Sequence, residues 1–318
     1  MSGSSSILRI GTRGSALALA QTRVVAAAVA KASGLEVEIL PIATEGDHSK
    51  ESLASLGGTG VFASALREAL LAEACDLVVH SLKDLPTDSY PGLRIGAIPK
   101  RADARDALCA RDGLTLEGLP PGARVGTGSP RRAAQLRGWR PDVEVVDIRG
   151  NIDTRLRKVA EGELAAVVLA AAGLGRIGRL DAVTEYFELG KWVTAPGQGA
   201  LAIEVRDSYS TSFAAMLKAI DHASTRLAVL AERAVLARLE AGCAAPIGAA
   251  GVVDGDMLFL TATVYAPDGT SSLTSSHALV LEGGPSERAL LPAELGDRVA
   301  GELLALGAAD IAPIGALA

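Results

Sequence analysis

Two stretches of this chain share a turn: GTRGS (Gly11–Ser15) and GTGSPRR (Gly126–Arg132). Each leaves an apolar strand, passes a glycine-containing turn and enters a helix at once. Strands alternating with helices argue for parallel sheets covered by helices on both faces. The first third continues the pattern. Ile7–Gly11 reads as a strand, Leu17–Lys31 as an Ala-rich helix and Glu36–Ile42 as a strand, followed by a helix over Gly60–Ala74 and a buried strand over Asp76–His80. The middle third repeats it, with strands at Arg124–Gly126, Val143–Ile148 and Leu164–Ala170 and helices starting at Arg131 and Asn151. A weak internal duplication is implied: two α/β domains facing each other across a ligand cleft.

The last third has a different build. His222–Glu240 is one long helix, then VDGD and APDGT mark Asp-Gly hairpins between extended runs, and Glu294–Leu306 closes as a helix. This reads as a three-stranded antiparallel sheet with helices on one face. Linker composition appears at Ile98–Arg105 and Thr194–Ala200. With 318 residues and 49% hydrophobic content, two or three domains with substantial cores are expected.

A formal charge of −6 and 3% aromatic residues argue against a nucleic-acid partner. No apolar run reaches the roughly 18 residues of a membrane helix, and the start MSGSSSILRI lacks a signal-peptide build, so the expected location is the cytoplasm. Cys75, Cys109 and Cys243 show no metal-ligand spacing. Cys75 and Cys109 are expected to be buried, inert thiols.

Against the acidic whole, arginines gather at strand ends. Arg13 sits in the first turn, Arg131 and Arg132 open the second helix, Arg149 lies in DIRGN, Arg155 follows Asn151 by one turn and Arg176 lies in GLGRIG. Arginine grips carboxylates with two parallel bonds, and helix N-termini add N–H donors. Thr12, Ser15, Thr127 and Ser129 add hydroxyls. The implied ligand is small and bears several anionic groups. No GxxxxGK[ST] loop is present and no GxGxxG follows a strand, which disfavours a nucleotide. In VVHSLKDLP (Val78–Pro86) a buried strand ends and Ser81, Lys83 and Asp84 follow within four positions. A carboxylate there can stabilise a cation or accept its proton. Finally, Cys243 stands on a turn after the long helix, between Gly242 and Ala244, as either a filler or an attachment point.

ERAVLARLEAGCAAPIG (Glu232–Gly248) resembles the cofactor-attachment segment of the porphobilinogen deaminase (hydroxymethylbilane synthase) family. The resemblance runs in order through RIGTRGSALALAQ, ATEGD, VVHSLKDLP, GTGSPRRAAQL, RGNIDTRL, AGLGRIG and APGQGALAIE. It implies two similar periplasmic-binding-protein-like α/β domains plus a C-terminal α+β domain with a three-stranded antiparallel sheet. The implied divisions are 1–99 with 199–219, 100–198, and 220–318. It implies a dipyrromethane, two linked porphobilinogen units, held on Cys243 as a thioether, and Asp84 as the catalytic group. Ser81, Lys83, Asp84, Thr127, Ser129, Arg131 and Arg132 are implied around the cofactor, and Arg13, Ser15, Arg149, Arg155 and Arg176 around the substrate. The implied reaction joins four porphobilinogens with loss of ammonia and releases hydroxymethylbilane, a precursor of haem and other tetrapyrroles. No metal is implied. The implied protein is a monomer that hands its product to the next enzyme of the pathway. Four positions depart from the family pattern: Ala241 for a glycine, so positive φ is not expected there; Ala245 for a larger aliphatic; and Ser55 and Thr59 where many members carry lysines. The last two leave a cationic lid unsupported, and Glu45 of ATEGD is given no role in one. The competing reading is a non-catalytic solute-binding or ligand-sensing protein.

Overall fold

The computed structural model describes residues 7–43, 61–241 and 245–314. Its strands are β1 (Leu8–Arg13), β2 (Val37–Ile42), β3 (Leu77–Ser81), β4 (Leu93–Ala97), β5 (Asp106–Ala110), β6 (Arg124–Gly126), β7 (Glu144–Val146), β8 (Ala166–Ala170), β9 (Glu185–Tyr186), β10 (Leu201–Arg206), β11 (Ile247–Asp254), β12 (Met257–Tyr265) and β13 (Ser272–Val280). The longer helices are α1 (Ala16–Ser33), α2 (Val61–Leu71), α3 (Pro130–Trp139), α4 (Ile152–Ala160), α5 (Thr211–Ile220), α6 (Ala223–Arg238) and α7 (Leu291–Ala305). The helix starts follow local chemistry. Ser15, Ser129 and Asn151 each cap a helix by accepting a backbone N–H, and Pro130 fills the first turn of α3.

The chain forms two compact units, residues 1–101 with 200–226 and residues 102–199 with 227–318. The first holds a five-stranded sheet in the order β2-β1-β3-β10-β4, with β1 parallel to β2 and β3 and β10 antiparallel to β3 and β4. The second holds a sheet in the order β7-β6-β8-β5-β9, with β6 parallel to β7 and β8 and β5 antiparallel to β8 and β9. The duplication therefore extends to strand order, β10 corresponding to β5. It also corrects the expectation of purely parallel sheets. In each unit the antiparallel strand is the one that follows a linker, so no local βαβ crossover dictates its direction.

In the first unit Leu77 and Val79 of β3 and Leu201, Ile203 and Val205 of β10 join Val25 and Val29 of α1 in one core. The alternate residues turn to the other face, where Val78 packs with Leu66 and Leu70 of α2. In the second unit β11, β12 and β13 form an antiparallel meander whose hairpin glycines, Gly255 and Gly269, take φ of 57° and 80°. Leu258, Leu260, Ala262 and Val264 point inward from β12 against Ala231 and Val235 of α6 and Leu295 and Val299 of α7. Ala245 packs at the margin of this core. Within the unit, Tyr265 donates to Gln135 at 3.1 Å and Arg137 donates to the Pro267 carbonyl at 2.7 Å, tying the meander to α3.

No described helix is long and apolar enough to cross a membrane. Cys75 and Cys109 are buried, and burial pushes both thiols up, Cys109 to about 12. Beyond α6, positive φ falls on Glu240, at 48°, and Ala241 does not need it.

Candidate active site

Because β1 and β3 run parallel, Arg13, which ends β1, and Ser15 just beyond it lie at the same edge of the first unit's sheet as Ser81, which ends β3, and Lys83 and Asp84 beyond it. The backbone N–H of Leu82 donates to Ala200 at 3.1 Å as the chain leaves β3, and Leu82–Asp84 form a single 3-10 turn. Leu82 and Leu85 are buried, so the turn is anchored by its apolar residues; Lys83 is half-buried and Asp84 exposed. The anchor fixes where the Asp84 carboxylate is shown without burying it. Ser15 is spent in part as the α1 cap, and Thr12 accepts from Thr22 at 2.7 Å inside the core.

In the second unit β6, β7 and β8 are parallel, so Thr127–Arg132, Asp147–Arg155 and the segment reaching Arg176 all follow strand ends at one edge. Gly128 lets the turn press on β7's exit: a Cβ there would come within 2.6 Å of the Ile148 carbonyl. The Thr127 hydroxyl accepts from Ser129 N–H at 3.2 Å. Arg149 meets Asp147 at 3.3 Å, and Arg155 donates through Nε to the Gly150 carbonyl at 2.8 Å. Arg155 is pushed down to about 10, first by burial and then by the like charges of Arg132 and Arg149, with only Asp147 opposing. Arg176 donates to the Gly199 carbonyl at 2.7 Å, and burial lowers it too.

Arg131 and Arg132 point inward. Their Nη2 atoms lie 2.7 and 2.6 Å from the two oxygens of Asp106, the residue that opens β5. Trp192 and Gln198 also donate to Asp106, each at 2.8 Å, and the remaining Nη1 groups reach the Val193 and Val168 carbonyls at 3.0 Å. Burial alone raises the Asp106 carboxyl; the two guanidinium groups outweigh it and hold the carboxyl well below the usual range. Asp106 was not among the expected site residues. Its signal in the sequence is an acid opening an apolar strand, DALCA, hidden by the charged linker before it. The Nε atoms of both arginines remain without a hydrogen-bond partner. Cys243, Glu45, Ser55 and Thr59 lie outside the described residues.

Arg155 thus sits beside two further arginines, Arg132 bound to Asp106 and Arg149 meeting Asp147, an arrangement suited to a small organic polyanion. Residues 8–213 match the family described as "Porphobilinogen deaminase, dipyromethane cofactor binding domain", and residues 226–305 match its C-terminal domain. The chain belongs to the porphobilinogen deaminase family. A porphobilinogen deaminase of Leifsonia xyli is 62% identical over 311 residues, covering 96% of this chain and 94% of that protein. One from Thermobifida fusca is 51% identical, covering 95% of each, and one from Mycobacterium tuberculosis is 50% identical, covering 96% and 98%. Among solved structures, the methionine-binding protein MetQ aligns over 67% of this chain and 89% of its own at 12% identity, with a TM-score of 0.44. A dipyrromethane bearing acetate and propionate on each ring fits the residues present. Its carboxylates would offset the like charges around Arg155.

Proposed function

We propose that this chain joins four porphobilinogen molecules head to tail on a covalently held dipyrromethane, loses one ammonia per joining and hydrolyses off the linear tetrapyrrole hydroxymethylbilane. When bound, the dipyrromethane supplies the nucleophilic carbon that starts the chain. Cys243 is the attachment thiol in this reading. The observation that carries it is the gathering of Arg131, Arg132, Arg149 and Arg155 with Asp106 and Asp147 at the β6–β8 edge, because each porphobilinogen brings two carboxylates.

Arg131 and Arg132, held by Asp106, with Ser81, Lys83, Thr127 and Ser129, bind the cofactor's polar groups. Thr127 and Ser129 already accept backbone N–H groups, so each donates its hydroxyl proton to a carboxylate. Arg13, Ser15, Arg149, Arg155 and Arg176 bind the carboxylates of incoming and added rings. Asp84 accepts the substrate's pyrrole N–H and stabilises positive charge as ammonia leaves. It then takes up the α-proton released when the new carbon–carbon bond forms, directly or through a water it orients.

The division into segments 1–99 with 199–219, 100–198 and 220–318 accompanies this reading, as does a cytoplasmic monomer that passes its product to a following enzyme. Turnover separates the enzyme from a non-catalytic anion-binding protein. Incubation with porphobilinogen should release ammonia and a linear tetrapyrrole. Asp84→Asn should lower the rate by about 10²–10⁴-fold with folding unchanged; full turnover by that variant contradicts the assignment.

A further inference from the structure

A buried ion pair in the first unit has no part in the chemistry described above. α2 turns Ala63, Leu66 and Leu70 inward at helical spacing, and the position completing that stripe is Arg67, 6% exposed. Its guanidinium meets Glu204 of β10, Nε at 3.1 Å from both carboxylate oxygens and Nη2 at 2.9 Å from Oε1. Oε2 of Glu204 lies 3.1 Å from Nε2 of His80, on β3. A carboxylate only accepts, so His80 carries its proton on Nε2. β10 pairs antiparallel with β3, Ala202 opposite His80, which puts Glu204 and His80 on the face covered by α2. Burial works against the Glu204 charge, and the hydrogen bonds from His80 and Arg67 outweigh it, holding the carboxyl below its ordinary range.

The pair touches both ends of one loop. His80 stands one residue before the end of β3, and the turn bearing Asp84 follows directly. At the far end, just before β4, the ring of Tyr90 packs against Arg67, whose Cζ lies 4.7 Å from the ring centroid. An apolar contact lets its partners slide, whereas a forked guanidinium–carboxylate pair fixes them in plane. We propose that Arg67, Glu204 and His80 are positioning residues for Asp84: one buried ion pair fixes the start and the end of the loop that presents the carboxylate. The inference rests on the reading of Asp84 as the catalytic group.

The test measures kcat and KM for porphobilinogen, melting temperature and intact mass in four variants. Glu204→Gln keeps the size and removes the charge. The double variant Arg67→Met with Glu204→Leu removes both charges and refills the space with apolar atoms, a replacement that buried pairs tolerate in folding. Tyr90→Leu leaves the ion pair intact at a half-buried position and reads the far contact alone. Asp84→Asn reports the underlying assignment. A displaced catalytic group costs up to about 10²-fold per ångström. The two ion-pair variants should therefore lose about 10–100-fold in kcat, and Tyr90→Leu about threefold, with KM within twofold and cofactor mass retained. Wild-type kcat in Tyr90→Leu, or in either ion-pair variant that folds, while Asp84→Asn is inactive, overturns the positioning role and leaves Asp84 standing. A fall in melting temperature with kcat unchanged does the same, since it marks the pair as structural. Full turnover by Asp84→Asn overturns the Asp84 reading itself.

Discussion

Asp106→Asn replaces a carboxylate with a group of nearly the same shape, at a site that is 0% exposed. The variant leaves Arg131, 2% exposed, and Arg132, 6% exposed, without their shared counter-charge. Removing one partner of a buried ion pair costs about 3–5 kcal/mol. Against a total stability of roughly 5–15 kcal/mol that is a large loss. At about 2–4 °C per kcal/mol for a unit of this size, the melting temperature of the second unit should fall by on the order of 10 °C. Scanning calorimetry at pH 7 measures it. The pH dependence supplies an internal check. The Asp106 carboxyl is depressed in the folded state, so its stabilisation is fully present above the unfolded carboxylate value of about 4 and declines as pH falls below that. The gap between wild type and Asp106→Asn should therefore be constant from pH 7 to about 5 and close progressively below 4. A shift under about 2 °C at pH 7, or a gap that widens on acidification, shows that Asp106 is not the buried counter-charge of the two arginines.

Arg149→Gln should slow elongation and weaken its dependence on salt, since it removes one of the charges that gather carboxylates around Arg155; rates measured step by step that match wild type at every salt concentration would oppose this. Gly128→Ala places a Cβ 2.6 Å from the Ile148 carbonyl, so the Thr127–Ser129 turn must shift; stability should fall by about 1–3 kcal/mol and cofactor uptake by the apoprotein, read by intact mass, should fall with it. Cys75 and Cys109 should resist a thiol reagent at pH 8 until the protein unfolds, because burial raises both thiols; rapid labelling of either in the native protein contradicts that.

What the sequence makes legible is what local chemistry decides. The glycine-containing turns after β1 and β6 announce α1 and α3, and the Asp-Gly pairs at Gly255 and Gly269 announce hairpins, because each signal acts within a few residues. β10 escapes such reading as a partner of β3, because the two meet across more than a hundred residues and no local rule sets the direction of their pairing. The exposed or half-buried groups Asp84, Arg149 and Arg155 stand out as charges at strand ends. Their buried supports do not: Asp106 and the Arg67–Glu204 pair look like ordinary surface charges until their partners, 25 and 137 residues away, are known. Arg67 did leave a trace, a cation where the α2 stripe of Ala63, Leu66 and Leu70 calls for an apolar residue.

In the proposed function Cys243 holds a dipyrromethane on which the product is built. Intact mass of the purified protein, beside a Cys243→Ser variant and after incubation of each with porphobilinogen, tests it most directly. The expected result is a wild-type excess equal to two porphobilinogen units less two ammonias, absent from the variant. A wild-type mass that stays at the value of the bare polypeptide after incubation, or an equal excess on Cys243→Ser, contradicts it.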